Sequence, residues 1–258
     1  MSEAQVSALF QYIEQLQGQR PWGRLLDVGT GVRSLQWLSK LQTESWTAVT
    51  ASAGMAEESR KAYPGRMREC DRVIVANWTD PELLQGEVFD TVLVDYFIGA
   101  IEGFAPYWQD LAFERLRPHA RGRLYVTAVD PYVPRMEDDE CGCFIGDLGR
   151  FRDAMLLLVR QRPYREYPSD WVVRALKRAG FNPVEARGFP IRYGARFVKS
   201  QLGMCRDRLH LVENETLRQG LAAEIKALEA RGHALIEKHG AIPYGFDYVI
   251  AAEPVARP

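Results

Sequence analysis

Leu25-Leu26-Asp27-Val28-Gly29-Thr30-Gly31 is the stretch on which the fold turns. Its apolar start, extended back to Arg24, reads as a buried strand, and Leu35, Leu38 and Leu41 then recur at helical spacing. The order is strand, glycine turn, helix. A glycine turn in that position lets backbone N–H groups approach a ligand closely. A dinucleotide site wants Gly-x-Gly-x-x-Gly, whose last glycine permits tight helix–strand packing. Here Arg33 and Ser34 occupy the last two places, so that pattern fails. Asp27 stands two residues before the first glycine. A carboxylate there suits a ligand with an ammonium group near the turn and repels a pyrophosphate.

Outward from the turn, further strands are expected at residues 46–50, 72–76, 91–94 and 123–129, with helical or polar stretches between them. Strands alternating with helices predict a parallel sheet wound on both faces by right-handed crossovers. Upstream, Val6, Leu9, Phe10, Ile13 and Leu16 lie at helical spacing and stop at Gly18. Beyond residue 150 the rhythm changes. Helices are expected at 151–162 and 170–179, the second closed by Gly180, followed by an extended segment at 183–191. Leu217, Leu221, Ile225 and Leu228 then form a helical stripe with Gly220 and Gly232 as weak points, and 246–252 reads as a final strand. A late strand pair separated by a helical insertion accounts for this half. The insertion covers about residues 194–240, within a single domain made of an N-terminal helix (1–20), a first half (21–135) and a second half (136–258).

Composition excludes several classes. The 258 residues are 47% hydrophobic and 26% charged, enough to bury a substantial core. The 33 basic and 34 acidic residues nearly cancel, which argues against a polybasic nucleic-acid binder. No apolar run reaches the roughly 18 residues of a membrane helix. Met1-Ser2-Glu3-Ala4 does not read as a signal peptide, and four cysteines in this length make no disulfide framework. A reduced, cytoplasmic protein is expected. Cys141-Gly142-Cys143 lacks a second pair or a histidine at zinc spacing, so no metal is expected. The acidic run Glu137-Asp138-Asp139-Glu140 reads as an exposed loop.

Over roughly residues 22–132 the chain resembles the class I S-adenosylmethionine-dependent methyltransferases. Leu25 to Gly31 matches their first motif: apolar strand, acid, x, Gly, x, Gly. Asn77-Trp78 falls where the family contacts adenine. Phe89-Asp90-Thr91-Val92-Leu93-Val94-Asp95-Tyr96 looks like the fourth motif, and Leu116-Arg117-Pro118 with Gly122 looks like the turn into the fifth strand. The resemblance implies a Rossmann-like three-layer α/β sandwich. Its seven-stranded, mostly parallel sheet would have an antiparallel last strand and a helical insertion before it. It also implies S-adenosyl-L-methionine as cofactor and S-adenosyl-L-homocysteine as product. On that basis Asp27, Gly29, Thr30 and Gly31 would hold the methionine end, Thr50 and Ala51 the ribose and adenine, and Asn77 and Trp78 the adenine. Asp95 would also line the cofactor site. One position departs from the family: Thr50 stands where an acid usually grips both ribose hydroxyls, leaving Thr50 itself, or Glu57 or Glu58, for that task.

Ligands in open parallel sheets lie beyond the carboxyl ends of the strands. Asp27, Thr50, Asn77, Asp95, Tyr96, Asp130 and Tyr132 all end strands on that side. His119 precedes a strand and reads as a turn residue at the opposite edge, and His239-Gly240 reads as a helix end. Methyl transfer is an in-line displacement whose demands are alignment and exclusion of water. Tyr96 and then Glu102 are the candidates to position an acceptor, while lining the adenosine pocket and capping a helix are their structural alternatives. Between 150 and 208 lie 14 Lys/Arg and five acids, interleaved with aromatics. Solvated helix faces are one reading. A substrate-facing surface for an anionic small molecule is another, contacted by Tyr132, Arg192, Tyr193 and Arg196. RNA binding and a non-catalytic scaffold are the rivals. A monomer or homodimer is expected.

Overall fold

The computed structural model of the chain describes residues 7–133 and 138–256. The segment Met1-Ser2-Glu3-Ala4, Val6, Glu137 and the 135/136 boundary between the expected halves lie outside the described residues. Nine α-helices, two 3-10 turns and seven strands are present among them. Helix α1 (Ala8–Gln17) opens on Ser7, whose hydroxyl accepts from the Phe10 amide at 3.3 Å, and ends at Gly18 with φ +58°. Strand β1 (Arg24–Asp27) leads through the glycine turn into α2 (Val32–Leu38). There follow β2 (Ser45–Thr50), α3 (Ala53–Ala62), β3 (Arg72–Val75), β4 (Phe89–Asp95), α4 (Phe97–Phe104), α5 (Ala112–Leu116) and β5 (Ala120–Val129).

The sheet order is β3-β2-β1-β4-β5, continued by the two late strands β7 (Ile242–Pro254) and β6 (Phe181–Tyr193), with β6 at the edge. The first five strands are parallel and the last is antiparallel, with helices on both sides. This is the expected Rossmann-like three-layer architecture. Register places Asp27 beside Ala48 and Leu93, Thr50 beside Val75, and Asp95 beside Thr127. Asp27, Thr50 and Asp95, three of the strand ends named from the sequence, therefore line one edge of the sheet. Strand residues Leu25, Leu26, Val49, Val92, Val94, Leu124 and Val126 are fully buried, as continuous apolar runs in central parallel strands require.

Two compact units make up the chain. The first holds residues up to Val129, Tyr167–Gly188 and Tyr248 onward, and so contains the whole parallel sheet. Its core clusters around Val28, Trp78, Phe89, Phe113, Leu124, Leu176 and Ile250. The second comprises Asp130–Glu166 and Phe189–Asp247. It contains α6 (Glu140–Leu158), α8 (Ala195–Arg206) and α9 (Glu215–His239); α7 (Ser169–Arg178) belongs to the first.

The insertion between β6 and β7 is helical, as anticipated; ahead of β6, one helix boundary differs. A helix expected from residue 151 begins at Glu140, capped by Asp139, whose carboxylate accepts from the Cys141 and Gly142 amides at 2.9 Å. Asp139 and Glu140 thus belong to a helix start rather than a loop. Gly142, Gly146 and Gly149 lie inside this helix. In the structure Gly149 is required by contact: a Cβ there would lie 2.8 Å from Val133 and 3.0 Å from Tyr132. Gly232, flagged as a weak point of the late stripe, sits inside α9 for the same reason, with Phe144 2.7 Å from its would-be Cβ.

Candidate active site

The carboxyl edge of the first unit's sheet is organised by the turn after β1. The Thr30 amide donates to the Val49 carbonyl at 2.8 Å and the Val28 amide to the Leu93 carbonyl at 2.9 Å, tying the turn to both neighbouring strands. Ser34 completes it. Its hydroxyl accepts from the Gly31 amide and donates to the Gly31 carbonyl, both at 3.1 Å, and lies 3.3 Å from the Thr30 hydroxyl. From the sequence Ser34 was only the residue that spoils a dinucleotide motif; here it fixes the shape of the turn.

The two glycines differ in kind. A Cβ on Gly29 would lie 2.9 Å from the Phe97 ring, so this position is small because the protein's own aromatic packs there. A Cβ on Gly31 would meet nothing nearer than the Met55 sulfur at 3.9 Å, so the space beside Gly31 is open.

Asp27 is the most unusual group in the unit. Its side chain is fully buried, and neither carboxyl oxygen has a hydrogen-bond partner. Desolvation raises its pKa to about 6; the nearby Thr30 and Ser34 hydroxyls and the Gly29 amide pull it back only in part. A buried carboxyl without partners costs stability unless a ligand supplies them.

Thr50 ends β2 and is buried, with its hydroxyl accepting from the Ser52 amide at 3.2 Å; Ala51 is exposed beside it. Ser52 in turn caps α3, accepting from the Met55 amide at 3.2 Å. Of the acids offered as substitutes for the ribose-binding group, Glu57 is engaged with Lys61 at 2.6 Å. Asn77 is held by its own turn. Its side-chain oxygen accepts from the Thr79 amide and hydroxyl, and its nitrogen donates to the Phe104 carbonyl at 3.0 Å. Trp78 is placed in the core, only 4% exposed, where its indole N–H donates to the Val28 carbonyl at 2.8 Å. Arg115 lies over its ring and His119 packs edge-on to it. The Trp78 side chain therefore braces the glycine turn from beneath.

Asp95 accepts from the Thr127 hydroxyl. Tyr96 follows in a left-handed backbone conformation, φ +47°, and its amide donates to the Thr127 carbonyl at 2.9 Å; its ring is exposed. A non-glycine residue held there stores roughly 1 kcal/mol or more of strain, a pattern that concentrates at functional sites. Glu102 is buried and accepts from the Gln109 amide nitrogen at 2.9 Å, so this carboxyl is turned into the protein. His119 is buried, its Nδ1 on the Glu87 carbonyl at 2.9 Å, consistent with a structural turn residue.

The remaining candidates lie in the second unit. Tyr132 is buried and its hydroxyl accepts from Arg152 at 2.7 Å. Tyr193 is buried and packs at a tilt against Phe197, with ring centroids 4.1 Å apart. Arg192 donates to the His239 carbonyl at the end of α9, at 3.1 Å, and Arg196 is exposed. Many cations of the basic stretch are likewise engaged at home: Arg150 with Asp147, Arg174 with Asp170, Arg206 with Glu229, and Arg208 with Gln161. Glu166, which the sequence reading passed over as one acid among many basic residues, joins Tyr132 and Tyr193 in this unit. Among the described residues no group of His, Cys, Asp and Glu is arranged to hold a metal ion.

No protein-family profile matches the chain, and no curated protein matches it. Solved structures do. The mycolic acid cyclopropane synthase CmaA1, crystallised with S-adenosylhomocysteine, superposes with a TM-score of 0.55 at 16% identity, covering 93% of this chain and 83% of that one. Coclaurine N-methyltransferase, bound to N-methylheliamine and S-adenosylhomocysteine, gives 0.53 at 17%, covering 95% and 71%. The [4+2]-cyclase SpnF gives 0.57 at 17%, covering 96% and 80%. The chain has the fold of class I S-adenosylmethionine-dependent methyltransferases. That a cyclase shares it shows that the scaffold alone does not fix the reaction.

Proposed function

We propose that the protein binds S-adenosyl-L-methionine at the carboxyl edge of the first unit's sheet and transfers its methyl group to a small molecule, within one methyltransferase domain. The observation that carries the reading is Asp27, a partnerless buried carboxylate at the glycine turn of a fold whose solved relatives hold the demethylated cofactor. The residues present fit that group. Asp27 offers a charge to the amino-acid ammonium, the open space beside Gly31 admits its tail, and Thr30 and Ser34 keep the turn in shape. Bound there, the cofactor supplies a methyl carbon already activated by its sulfonium. The chain's part is then alignment and exclusion of water. Tyr96, fixed in an unusual backbone conformation at the end of β4, is the residue we assign to positioning, with Asp95 held beside it by Thr127. Thr50 and Ala51 would face the ribose, and Asn77 the adenine.

An anionic acceptor, expected from the basic stretch, would be met by Arg192 and Arg196, although several cations of that stretch are paired internally. A cytoplasmic location is part of this proposal; no described helix is long and apolar enough to cross a membrane.

Calorimetry tests the reading. S-adenosylmethionine and S-adenosylhomocysteine should both bind, and affinity should fall as pH drops below about 6 and Asp27 takes up a proton. Asp27→Ala should weaken binding by roughly 100-fold, the size expected for a desolvated charge-assisted contact. Absence of heat with either nucleoside overturns the assignment.

A further inference from the structure

The sheet has two edges, and they are built differently. At one edge β3 spans only four residues, and Arg60 on α3 donates to its Val73 carbonyl at 2.7 Å. At the other edge β6 spans thirteen residues. Within it Val184, Glu185, Ala186, Arg187 and Gly188 are exposed in unbroken succession, all in the first unit. A strand with a single neighbour turns alternate N–H and C=O groups outward, and such a row is a template for another strand.

The side chains say which strand fits. Alternate residues of a strand share a face, so Glu185 and Arg187 lie on one face and Val184, Ala186 and Gly188 on the other. The Arg187 guanidinium lies over the Tyr12 ring of α1, 4.8 Å from its centroid, which puts the charged face on the α1 side. Glu185 makes no hydrogen bond or ion pair among the described residues. On the opposite face Val184 is 41% exposed. Charges on an edge strand ordinarily repel a foreign edge. Here they are of opposite sign and placed one residue to either side of Ala186, so the strand complements itself.

We infer that the exposed stretch 184–188 of β6 is a self-association surface that takes a second copy of this chain, antiparallel about a two-fold axis at Ala186. In that register Glu185 stands opposite the partner's Arg187, and Arg187 opposite the partner's Glu185. Val184 meets the partner's Gly188, which has no side chain to obstruct it. Moving the axis by one residue sets either the two Glu185 carboxylates or the two Arg187 guanidinia against each other, and a parallel pair in register does both. Directly opposed like charges destabilise a strand pair, so charge fixes the register as well as the partner. The contact is short and charged, which makes the dimer reversible and sensitive to salt.

Sedimentation velocity on the full chain, run over a concentration series, tests this. The wild type should show a monomer–dimer equilibrium that weakens as salt is raised. Glu185→Arg and Arg187→Glu should each weaken the dimer by about tenfold or more, because each sets two like-charge pairs face to face. Mixed in equal amounts, the two variants should associate again as a heterodimer, in which both pairs are attractive. Thermal melting reads the fold of each variant. Should Arg187→Glu fail to fold without its Tyr12 contact, the exposed substitution Glu185→Arg still decides the matter alone. A wild type that stays monomeric at every concentration leaves the edge to solvent or to an extended segment of a different protein, and overturns the inference. So does a dimer that Glu185→Arg leaves unchanged, or two folded single variants that do not associate when mixed.

Discussion

Asp27 and Glu166 are both carboxyl groups pushed up by desolvation, to about 6 and about 7, yet the two units arrive at them by different routes. Asp27 is placed by a contiguous motif: a strand, a turn and the first residues of a helix, all within about ten positions. It is closed off completely, and its neighbours Thr30 and Ser34 are local. Glu166 is placed by segments far apart in the chain, with Arg152 and Asp153 from α6, Tyr132 from before it, Tyr193 from β6 and Asp247 from β7. It keeps an opening to water and is surrounded by other titratable groups. A carboxyl placed by consecutive residues can be read directly. One placed by convergence emerges only once the chain is folded.

The largest effect that would break this comparison concerns stability. The folded pKa of Asp27 lies above its unfolded value of 3.8, so the native state holds the proton more tightly. The native state is unpenalised below about pH 4, loses stability as pH rises toward 6, and carries the full penalty above that. Asp27→Asn should therefore stabilise the ligand-free protein at pH 8 by up to about 3 kcal/mol in urea denaturation, with the gain vanishing near pH 4. The same variant should lose the nucleoside. Glu166→Gln follows the same sign, its gain building from about pH 4.5 and complete above about pH 7, but it should be smaller because that carboxyl is only partly buried. Equal gains would erase the distinction between a sealed and an open acid.

A smaller effect sharpens the contrast at the neighbouring strand. Thr50→Asp should tighten S-adenosylmethionine about tenfold in calorimetry if the ribose lies there, since a charge-assisted hydrogen bond is roughly twice as strong as a neutral one. A loss of affinity would place the ribose elsewhere. The smallest expected change is at Trp78. Trp78→Phe removes the bond to the Val28 carbonyl and should cost about 1 kcal/mol of stability. Because the ring is buried beneath the turn, nucleoside affinity should shift only slightly. A large loss of affinity at unchanged stability would return Trp78 to the adenine contact the sequence suggested.

The parallel sheet was legible because each strand is a local apolar run and each crossover helix a local stripe. The turn at Asp27 was legible for the same reason. What stayed hidden depends on contacts across the chain. Gly232 looks like a weak point of a helix until Phe144 and Val198 are brought against it. Glu102 reads as an acid to position an acceptor or to cap a helix until Gln109 is brought against it. The positive charge between 150 and 208 looks like a surface for anions until Asp147, Asp170 and Glu229 are paired with it. Composition counts charges, whereas only the fold says which are already spent.

The contact between Gly29 and Phe97 carries a consequence for related chains. Smallness at the first motif glycine is here dictated by an aromatic ring from a different element, not by any visitor. The two positions are therefore coupled: a chain that trades the phenyl ring for a slimmer side chain can tolerate alanine or serine in the turn. Co-substitution of that pair, rather than strict retention of the glycine, is the pattern this geometry allows in evolution.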